Sequence, residues 1–423
     1  MRIVPLADLP WPEIVRPGDT VLWGQGSGEP ASLVESLLAR RHEVGGRFSV
    51  LLVTSYSGLF GPEQTDVIDF RGLVGTSGNR ALSRKGLLDI LPVHYSRLDE
   101  MIASGEVRCD VALVQVSRPD AQGRMSPGVV NDYIRTAMTR ARVVVGEINS
   151  QAPRSTCDVP IAAGDLNFCV EADRPLIAVR RAAIGDVERA IARHAVELIP
   201  DRATIQTGIG ALPDAILEGL RGHRDLGIHA GTISDGVMDL MQCGAVTNAA
   251  KEIDTGVTVT GNLIGTEALF RFVDGNPSVK FAGPAYTHSQ QVLGRLSRLI
   301  SINAALEVDL TGQVNSEAIG EDYVGTVGGQ VDYVRAAVRS AGGRSIIALP
   351  STTPGGRASR IVARLGGPVT TPRSDVDVVI TEWGRAEQRN LPLRERARAM
   401  IAIAHPAFRE SLAEAARGIL RGA

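Results

Sequence analysis

The sequence predicts an α/β protein with two domains. Three observations carry this prediction: the length of the chain, its ordinary globular composition, and the alternation of short apolar runs with helical segments. A chain of 423 residues is too long to fold around one ordinary hydrophobic core. Its composition, with 44% hydrophobic and 22% charged residues, is typical of folded domains. We therefore expect two layered domains, each with a sheet covered by helices.

Short runs rich in Val and Ile end in small or polar residues, which is typical of buried parallel strands with a site at their carboxyl ends. The predicted strands are 47–55, 109–117, 141–149, 345–351 and 376–384. Segments with helical periodicity lie between and around them, at 31–41, 187–199, 212–222, 332–341 and 394–404. The polar segment 173–186 precedes a restart of this pattern. The sequence therefore predicts an N-terminal domain over 1–180 and a C-terminal domain over 181–423.

Charge, cysteine content and the N-terminal sequence exclude several classes of protein. A net charge of -2 gives no reason to expect nucleic acid or an anionic membrane as a partner. The four cysteines, which lie far apart, have neither the spacing of a zinc site nor that of a disulfide framework. The first residues do not resemble a signal peptide, and no window is apolar over a membrane-spanning length. We expect a cytoplasmic protein without a metal.

A glycine-rich turn at 207–213 is the first candidate binding element. TGIGALP follows the strand-like ATIQ and precedes a predicted helix with Pro213 in its first turn. The backbone amides of Gly208, Ile209 and Gly210 would then point at one place, where an oxyanion or phosphate binds. A tight strand-to-helix turn without a ligand is the alternative. The turn lacks the GxGxxG pattern, which argues against a dinucleotide site.

A second turn of the same kind lies at 323–337, in YVGTVGGQVDYVRAA. Gly325, Gly328 and Gly329 precede a helix that is predicted to begin near Val331. If the sheet is doubly wound, the two turns converge at one edge. Two backbone donors from different loops are what a tetrahedral oxyanion needs, and the sequence predicts Ile209 and Gly329 as those donors.

Several blocks of the chain, in this order, resemble the acetyl-CoA hydrolase/transferase family. They include GQGSGEPASLVESLLAR, DVALVQVSRPDAQGRMSPGVVNDY, TGIGALPDAILEGL, LGIHAGTISDGVMDLMQCGAVTN, LISINAALEVDLTGQVNSE, YVGTVGGQVDYVRAA, VVITEWGRAE and RERARAMIAIAHPAFRE. The resemblance covers nearly the whole chain. It implies two related CoA-transferase-type α/β domains with the active site in the cleft between them. It also implies that the cosubstrate is coenzyme A, bound as acyl-CoA, and that the protein forms a homodimer.

The resemblance implies covalent catalysis by a carboxylate, yet this chain departs from it at the nucleophile. In enzymes of this family a glutamate attacks the acyl-CoA and forms a glutamyl-CoA thioester. That glutamate lies in a block resembling G-I-H-T-E-M-I-S-D-G, which here reads GIHAGTISDG. Gly231 therefore occupies the position of the family's glutamate.

Neighbouring residues offer weak replacements for the missing nucleophile. We expect Asp235 to cap the helix that follows it. His229 would share a strand face with position 231, although a hydrogen-bonded structural histidine is the alternative. Glu382, in ITEWG, matches a second glutamate that family enzymes keep near the reacting groups in a supporting position.

A second departure falls in AYTHSQQ, at 285–291. The resemblance aligns His288, or a residue beside it, with an asparagine that borders the family's reaction centre. A neutral imidazole there can accept a proton from an incoming amine, alcohol or water. The alternative is a loop that has drifted and left His288 on the surface.

Three functions remain open from the sequence. In the first, an acyl-CoA is held by the two glycine turns and attacked directly by water, an amine, an alcohol or a group of the acyl chain itself. In the second, the protein is a conventional CoA-transferase that uses Glu382 or the substrate acid. In the third, it binds acyl-CoA without catalysis. The retained glycine turns, ITEWG and IAHPAFRE argue against the third.

Overall fold

The protein is described by a computed structural model that covers residues 2–419. Within these residues the chain forms two compact units. The first unit comprises 2–180, Val259–Thr287 and Asp322–Thr326. The second unit comprises Arg181–Thr258, His288–Glu321 and 327–419. The first unit thus adds two short segments of the C-terminal half to the predicted N-terminal domain.

The first unit is built on an eight-stranded parallel sheet. In spatial order the strands are Arg2–Ile3, Phe168–Ala172, Val143–Asn149, Val111–Val116, Thr20–Trp23, Phe48–Leu52, Ile68–Gly72 and Leu88–Ile90. Its α-helices are Trp11–Ile14, Ala31–Ala39, Arg80–Arg84, Tyr95–Ser104, Tyr133–Arg140, Glu267–Val273 and Pro284–Thr287. The strand Thr156–Cys157 pairs in parallel with Val279–Phe281. Buried Trp11, Phe48 and Leu113 belong to the core that this sheet shares with its helices.

The second unit is built on a six-stranded sheet whose first five strands are parallel. In spatial order the strands are Gly227–Ile228, Thr204–Thr207, Leu299–Ala304, Arg344–Ala348, Val378–Thr381 and the antiparallel Gly384–Glu387. Its α-helices are Asp186–Val196, Ala211–Gly219, Asp235–Gln242, Gln290–Leu293, Gln330–Arg339, Leu393–Ile403 and Arg409–Ile419. The shorter strands outside the two main sheets are Thr232–Ile233, Thr258–Thr260, Asn262–Leu263, Glu307–Asp309, Val314–Asn315, Ala318–Ile319, Asp322–Tyr323 and Ile361–Val362.

The first glycine turn lies at the topological switch point of the second unit, where the order of the strands in the sheet reverses. The chain order of the parallel strands reverses between Thr204–Thr207 and Leu299–Ala304. In open α/β sheets, ligands bind in the crevice beyond the carboxyl ends of the strands at such a reversal. The turn 208–210 begins at that point. Gly210 has a φ of 115°, a conformation that residues with a Cβ rarely adopt, so glycine allows the sharp entry into Ala211–Gly219.

The α/β fold with two domains is confirmed, and each predicted strand and helix forms. The predicted strands correspond to Phe48–Leu52, Val111–Val116, Val143–Asn149, Arg344–Ala348 and Val378–Thr381. The predicted helices correspond to Ala31–Ala39, Asp186–Val196, Ala211–Gly219, Gln330–Arg339 and Leu393–Ile403. Residues 173–185, which cover most of the polar segment at the predicted boundary, form neither helix nor strand.

Candidate active site

The side chain of His288 lies against two glycines of the second unit. A Cβ atom on Gly231 would lie 2.5 Å from Cε1 of His288 and 2.9 Å from its Nε2. A Cβ atom on Gly329 would lie 2.5 Å from Nε2 of the same ring. All three distances are shorter than real contacts of a Cβ atom. The imidazole therefore fills the space that side chains at positions 231 and 329 would need.

His288 is buried, so the alternative of a surface loop is wrong. Its exposed fraction is 5%, and its ring centroid lies 4.9 Å from that of Tyr333 at an interplanar angle of 59°. Burial, and then the neighbouring His229, lowers the pKa of His288 to about 3. The imidazole is therefore neutral throughout the physiological pH range.

The loop that carries Gly231 is anchored at the residue before His229. The amide of Ile228 donates to Oδ1 of Asn248 at 2.8 Å, and Nζ of Lys251 donates to the Ile228 carbonyl at 3.0 Å. The His229 amide continues the pairing by donating to the Ile205 carbonyl at 3.1 Å. Sequence reasoning missed Asn248 and Lys251, since nothing in VTNAAK indicates which backbone groups they reach.

Contrary to the sequence prediction, the backbone amides of the first glycine turn are not all free to bind an oxyanion. The Gly208 amide donates to the Ile302 carbonyl at 3.2 Å, so this donor is used within the sheet. The amides of Ile209 and Gly210 remain as candidate donors in that turn. In the second turn Gly328 and Gly329 belong to the second unit, and Gly329 immediately precedes Gln330–Arg339.

Gly325 belongs to a different unit from Gly328 and Gly329. Its carbonyl accepts a hydrogen bond from the Gly75 amide at 3.2 Å, within the first unit. The sequence treats the three glycines as one turn. Each of the two units holds part of the motif, so Gly325 and Gly329 have separate structural environments.

Glu382 follows the carboxyl end of the strand Val378–Thr381 and is held by Ser351. The Ser351 amide donates to Oε2 of Glu382 at 2.8 Å, and the Ser351 hydroxyl donates to Oε1 at 2.5 Å. Both carboxylate oxygens therefore accept a hydrogen bond. Each oxygen keeps a second lone pair, but donors that stabilise the carboxylate charge lower its nucleophilicity, which favours a supporting role.

The helix after Gly231 is capped by Ser234, so the prediction that Asp235 caps it is wrong. The Ser234 hydroxyl oxygen accepts from the Gly236 amide at 3.3 Å and donates to Oδ1 of Asp214 at 2.9 Å. Asp235 is the first residue of Asp235–Gln242, and its buried carboxylate lies 3.7 Å from the Arg181 guanidinium. A hydroxyl at this position satisfies the helix N-terminus, and the carboxylate complements the helix dipole.

Asp132, in the first unit, is a second buried group with a strongly shifted pKa. Burial raises its pKa to about 6, although Nε2 of Gln25 and the Tyr95 hydroxyl donate to its carboxylate. The shift has the opposite sign to that of His288. Each group has one pKa in the unfolded chain and another in the folded protein, and the pH intervals between these two values overlap for His288 and Asp132.

We expect these two groups to give opposite slopes of unfolding free energy against pH, from about pH 4 to about pH 6. The unfolded chain binds a proton at His288 there that the native state does not, so this contribution falls as pH falls. Native Asp132 keeps a proton that the unfolded chain releases, so its contribution falls as pH rises. Relative to the wild type, His288→Gln should lose stability towards the upper end of this range, and Asp132→Asn should gain it. Urea denaturation across the range measures both, and parallel curves for the three proteins would contradict the shifts.

Over residues 2–419, no group of three or more His, Cys, Asp or Glu side chains could hold a metal ion. Among those same residues, no helix is long and apolar enough to span a bilayer.

Comparison with known families identifies the scaffold. Residues 11–180 match the family model of the acetyl-CoA hydrolase/transferase N-terminal domain, and residues 265–416 match that of the C-terminal domain. The chain belongs to the acetyl-CoA hydrolase/transferase family. It is therefore an enzyme of the transferase or hydrolase type whose substrates are CoA thioesters.

Individual relatives are similar to this chain over nearly its whole length. The 4-hydroxybutyrate coenzyme A transferase of Clostridium kluyveri is 40% identical over 395 residues, which cover 93% of this chain and 92% of that protein. The solved structure of RipA from Yersinia pestis has a TM-score of 0.94 at 31% identity and covers 99% of this chain and 98% of that chain. The 4-hydroxybutyrate CoA-transferase of Porphyromonas gingivalis has a TM-score of 0.83 at 33% identity, with the same coverage.

Proposed function

We propose that this family member transfers the acyl group of an acyl-CoA directly to an acceptor, without a glutamyl-CoA intermediate. The observation that carries the proposal is the imidazole of His288 packed against Gly231. Gly231 matches the family's glutamate position in GIHAGTISDG, and the ring fills the space beside it. A nucleophilic side chain is thus replaced by a neutral hydrogen-bonding group.

The proposed reaction needs a group that carries one proton from the acceptor to the CoA sulfur, and a site that stabilises the oxyanion. The acceptor's heteroatom attacks the thioester carbonyl carbon while its proton passes to Nε2 of His288. The carbon–sulfur bond then breaks, and the same proton passes to the CoA sulfur, giving the acylated acceptor and free CoA. Backbone amides of Ile209 and Gly329 stabilise the oxyanion, a contribution typically worth about 3 kcal/mol or more for each donor.

The low pKa of His288 is compatible with a relay of this kind. In the absence of substrate the ring is neutral, and its nitrogen can accept a hydrogen bond from the acceptor. A nearby oxyanion raises the pKa of an imidazole, since opposite charges stabilise each other. His288 therefore gains basicity during the step in which a proton must be held.

The acceptors that fit are water, an amine, an alcohol or a nucleophilic group within the acyl chain. Attack by the last would give a lactam or a lactone. A conventional CoA-transferase route through Glu382 is the competing function, and the two hydrogen bonds from Ser351 to this carboxylate disfavour it. The predicted homodimer and the cytoplasmic location stay predictions.

Trapping of the intermediate tests this function. We expect no glutamyl-CoA adduct when the protein is incubated with acyl-CoA and borohydride and analysed by intact mass and peptide mapping. CoA thiol should nevertheless be released with an added acceptor. The C. kluyveri relative serves as the comparison protein, and its name describes a CoA transferase. An adduct mapped to Glu382 would establish the conventional route, and CoA binding without any turnover would establish a binding protein.

A further inference from the structure

The Trp383 indole, the Ser351 hydroxyl and the Glu382 carboxylate are joined by consecutive hydrogen bonds. Nε1 of Trp383 donates to the Ser351 hydroxyl oxygen at 3.2 Å, and that hydroxyl donates to Oε1 of Glu382 at 2.5 Å. The direction of both bonds is fixed, because an indole N–H only donates and a carboxylate only accepts. The single hydroxyl proton of Ser351 is therefore committed to Glu382. These three side chains are the carboxylate clamp.

Two neighbouring strands hold the clamp. Arg344–Ala348 and Val378–Thr381 pair in parallel, so Ser351 and Glu382 follow the carboxyl ends of adjacent strands. Ser351 is 0% exposed, and its backbone amide donates to Oε2 of Glu382 at 2.8 Å. Because the amide and the hydroxyl of one buried residue hold both carboxylate oxygens, the plane of the carboxylate is fixed.

The indole at the start of the clamp is itself fixed by three contacts. The Trp383 amide donates to the Thr381 hydroxyl at 3.1 Å. The His405 ring stands edge-on to the indole, at 5.5 Å between centroids and an interplanar angle of 88°. The Arg409 guanidinium lies 5.7 Å from the centre of the same ring. A ring held in this way keeps its N–H directed at Ser351.

The clamp lies at the same edge of the sheet as the second glycine turn of the candidate active site. The helix Gln330–Arg339 packs on Leu299–Ala304 and Arg344–Ala348, and it leads directly into the latter strand. It therefore runs opposite to both strands. Its length of about 15 Å is close to that of the strands, so Gly329, at its N-terminal end, lies at their carboxyl edge. Ser351 follows Arg344–Ala348 at that edge.

We infer that Ser351 and Trp383 are positioning residues that orient the Glu382 carboxylate towards the acceptor. The inference rests on the proposed direct transfer. The second lone pair of a carboxylate oxygen accepts a hydrogen bond from the attacking atom of the acceptor. That atom bonds to the thioester carbon and gives one proton to Nε2 of His288, which passes it to the departing CoA sulfur. The hydrogen that is bonded to Glu382 stays on the acylated product.

An attacking atom that donates to both groups must carry two hydrogens. A primary amine and water have two, whereas an alcohol and a secondary amine have one. The measurement is the ratio of kcat/KM for propylamine to kcat/KM for N-methylpropylamine. We expect this ratio to fall in Ser351→Ala and in Glu382→Gln, because the second hydrogen then loses its oriented acceptor. An unchanged ratio in both variants would overturn the hydrogen bond between Glu382 and the acceptor.

Ser351→Ala should lower kcat/KM for the acceptor by about 10-fold to about 150-fold, the usual effect of a lost hydrogen bond to a charged group. Trp383→Phe, which keeps a ring and removes the N–H, should cost about 2-fold to about 10-fold. The KM for acyl-CoA should change little in either variant, because the clamp acts on the acceptor. Ser351→Thr should restore activity, and Ser374→Ala is the matched control, since Ser374 is an exposed serine of the same unit.

A double-mutant cycle separates positioning from a purely structural role. In a Glu382→Gln background, Ser351→Ala and Trp383→Phe should cause a much smaller further loss than they cause in the wild type, since both act through the carboxylate. Losses of the same size in both backgrounds, in variants that remain folded, would overturn the inference.

The indole N–H resonance reports on the clamp without any turnover. In protein with isotopically labelled tryptophan, Trp383→Phe identifies the resonance of Trp383. Ser351→Ala and Glu382→Gln should both move that resonance, because hydrogen bonds in series strengthen one another, and Ser374→Ala should leave it in place. A resonance that neither variant moves would overturn the clamp and leave direct transfer standing. A glutamyl-CoA adduct on Glu382 would instead overturn direct transfer, and with it this role of the carboxylate.

Discussion

Gly231→Glu alone is expected to give a destabilised protein without CoA-transferase activity. The Cβ of any residue at position 231 would lie 2.5 Å from the His288 ring, and this ring is buried against Gly329 and Tyr333. Overpacking of this kind typically costs about 1 to 3 kcal/mol of unfolding free energy. A glutamate at this position must displace the ring of His288 before its carboxylate can be placed.

Gly231→Glu combined with His288→Asn is expected to gain CoA transfer from acetyl-CoA to small acids. The resemblance aligns His288, or a residue beside it, with an asparagine, and the shorter amide vacates the space that Nε2 of His288 occupies beside both glycines. The double variant should form a glutamyl-CoA adduct at residue 231, detected by borohydride trapping and peptide mapping. Its unfolding free energy should exceed that of Gly231→Glu alone.

Two single variants are the controls for this experiment. His288→Asn alone should give no adduct, because it supplies no nucleophile. Gly222→Glu is the matched glycine substitution, since Gly222 is exposed and a Cβ there meets nothing within 4 Å. Transfer activity in Gly231→Glu alone would contradict the proposed competition for space, and a folded but inert double variant would contradict a preserved family site.

Five strands of the two main sheets were predicted from their apolar runs, because central parallel strands are buried on both faces. VALVQV and VVVGEIN are apolar runs that the parallel sheet of the first unit requires, and they form Val111–Val116 and Val143–Asn149. The antiparallel strand Gly384–Glu387 was not predicted, because GRAE is short and polar. Its place is set by pairing with Val378–Thr381, a tertiary contact that no local pattern carries.

The sequence proposed the residues of the candidate site, and the structure adds the contacts between them. The resemblance predicts that Gly231 and His288 depart from the family, and the structure brings the ring of one against the backbone of the other. Ser351 and Lys251 were missed, since their partners are far away in sequence. Whether Ile209 and Gly329 donate to an oxyanion stays a prediction.

His288→Gln is expected to lower turnover by about 10²-fold to 10⁴-fold, the usual contribution of a positioned proton acceptor. Glutamine has nearly the length of histidine and can keep a hydrogen bond where Nε2 lies, but its amide does not accept a proton at neutral pH. The KM for acyl-CoA should change little, because the thioester and the nucleotide keep their contacts. Steady-state kinetics with a saturating amine or alcohol acceptor measures both quantities, and His194→Gln, on Asp186–Val196, is the control.

The pH dependence of this reaction distinguishes a proton relay from a packing role. Since the pKa of His288 is about 3 in the free protein, its protonation should produce no fall in kcat/KM between pH 8 and pH 5. A packing role predicts that activity in His288→Gln follows stability and recovers with stabilising osmolytes. A relay predicts that the loss persists in fully folded protein and shrinks for acceptors that carry their own base. Full activity of folded His288→Gln with every acceptor would remove the imidazole from the mechanism and leave either an acceptor that is its own base or a transferase route through Glu382 or the substrate acid.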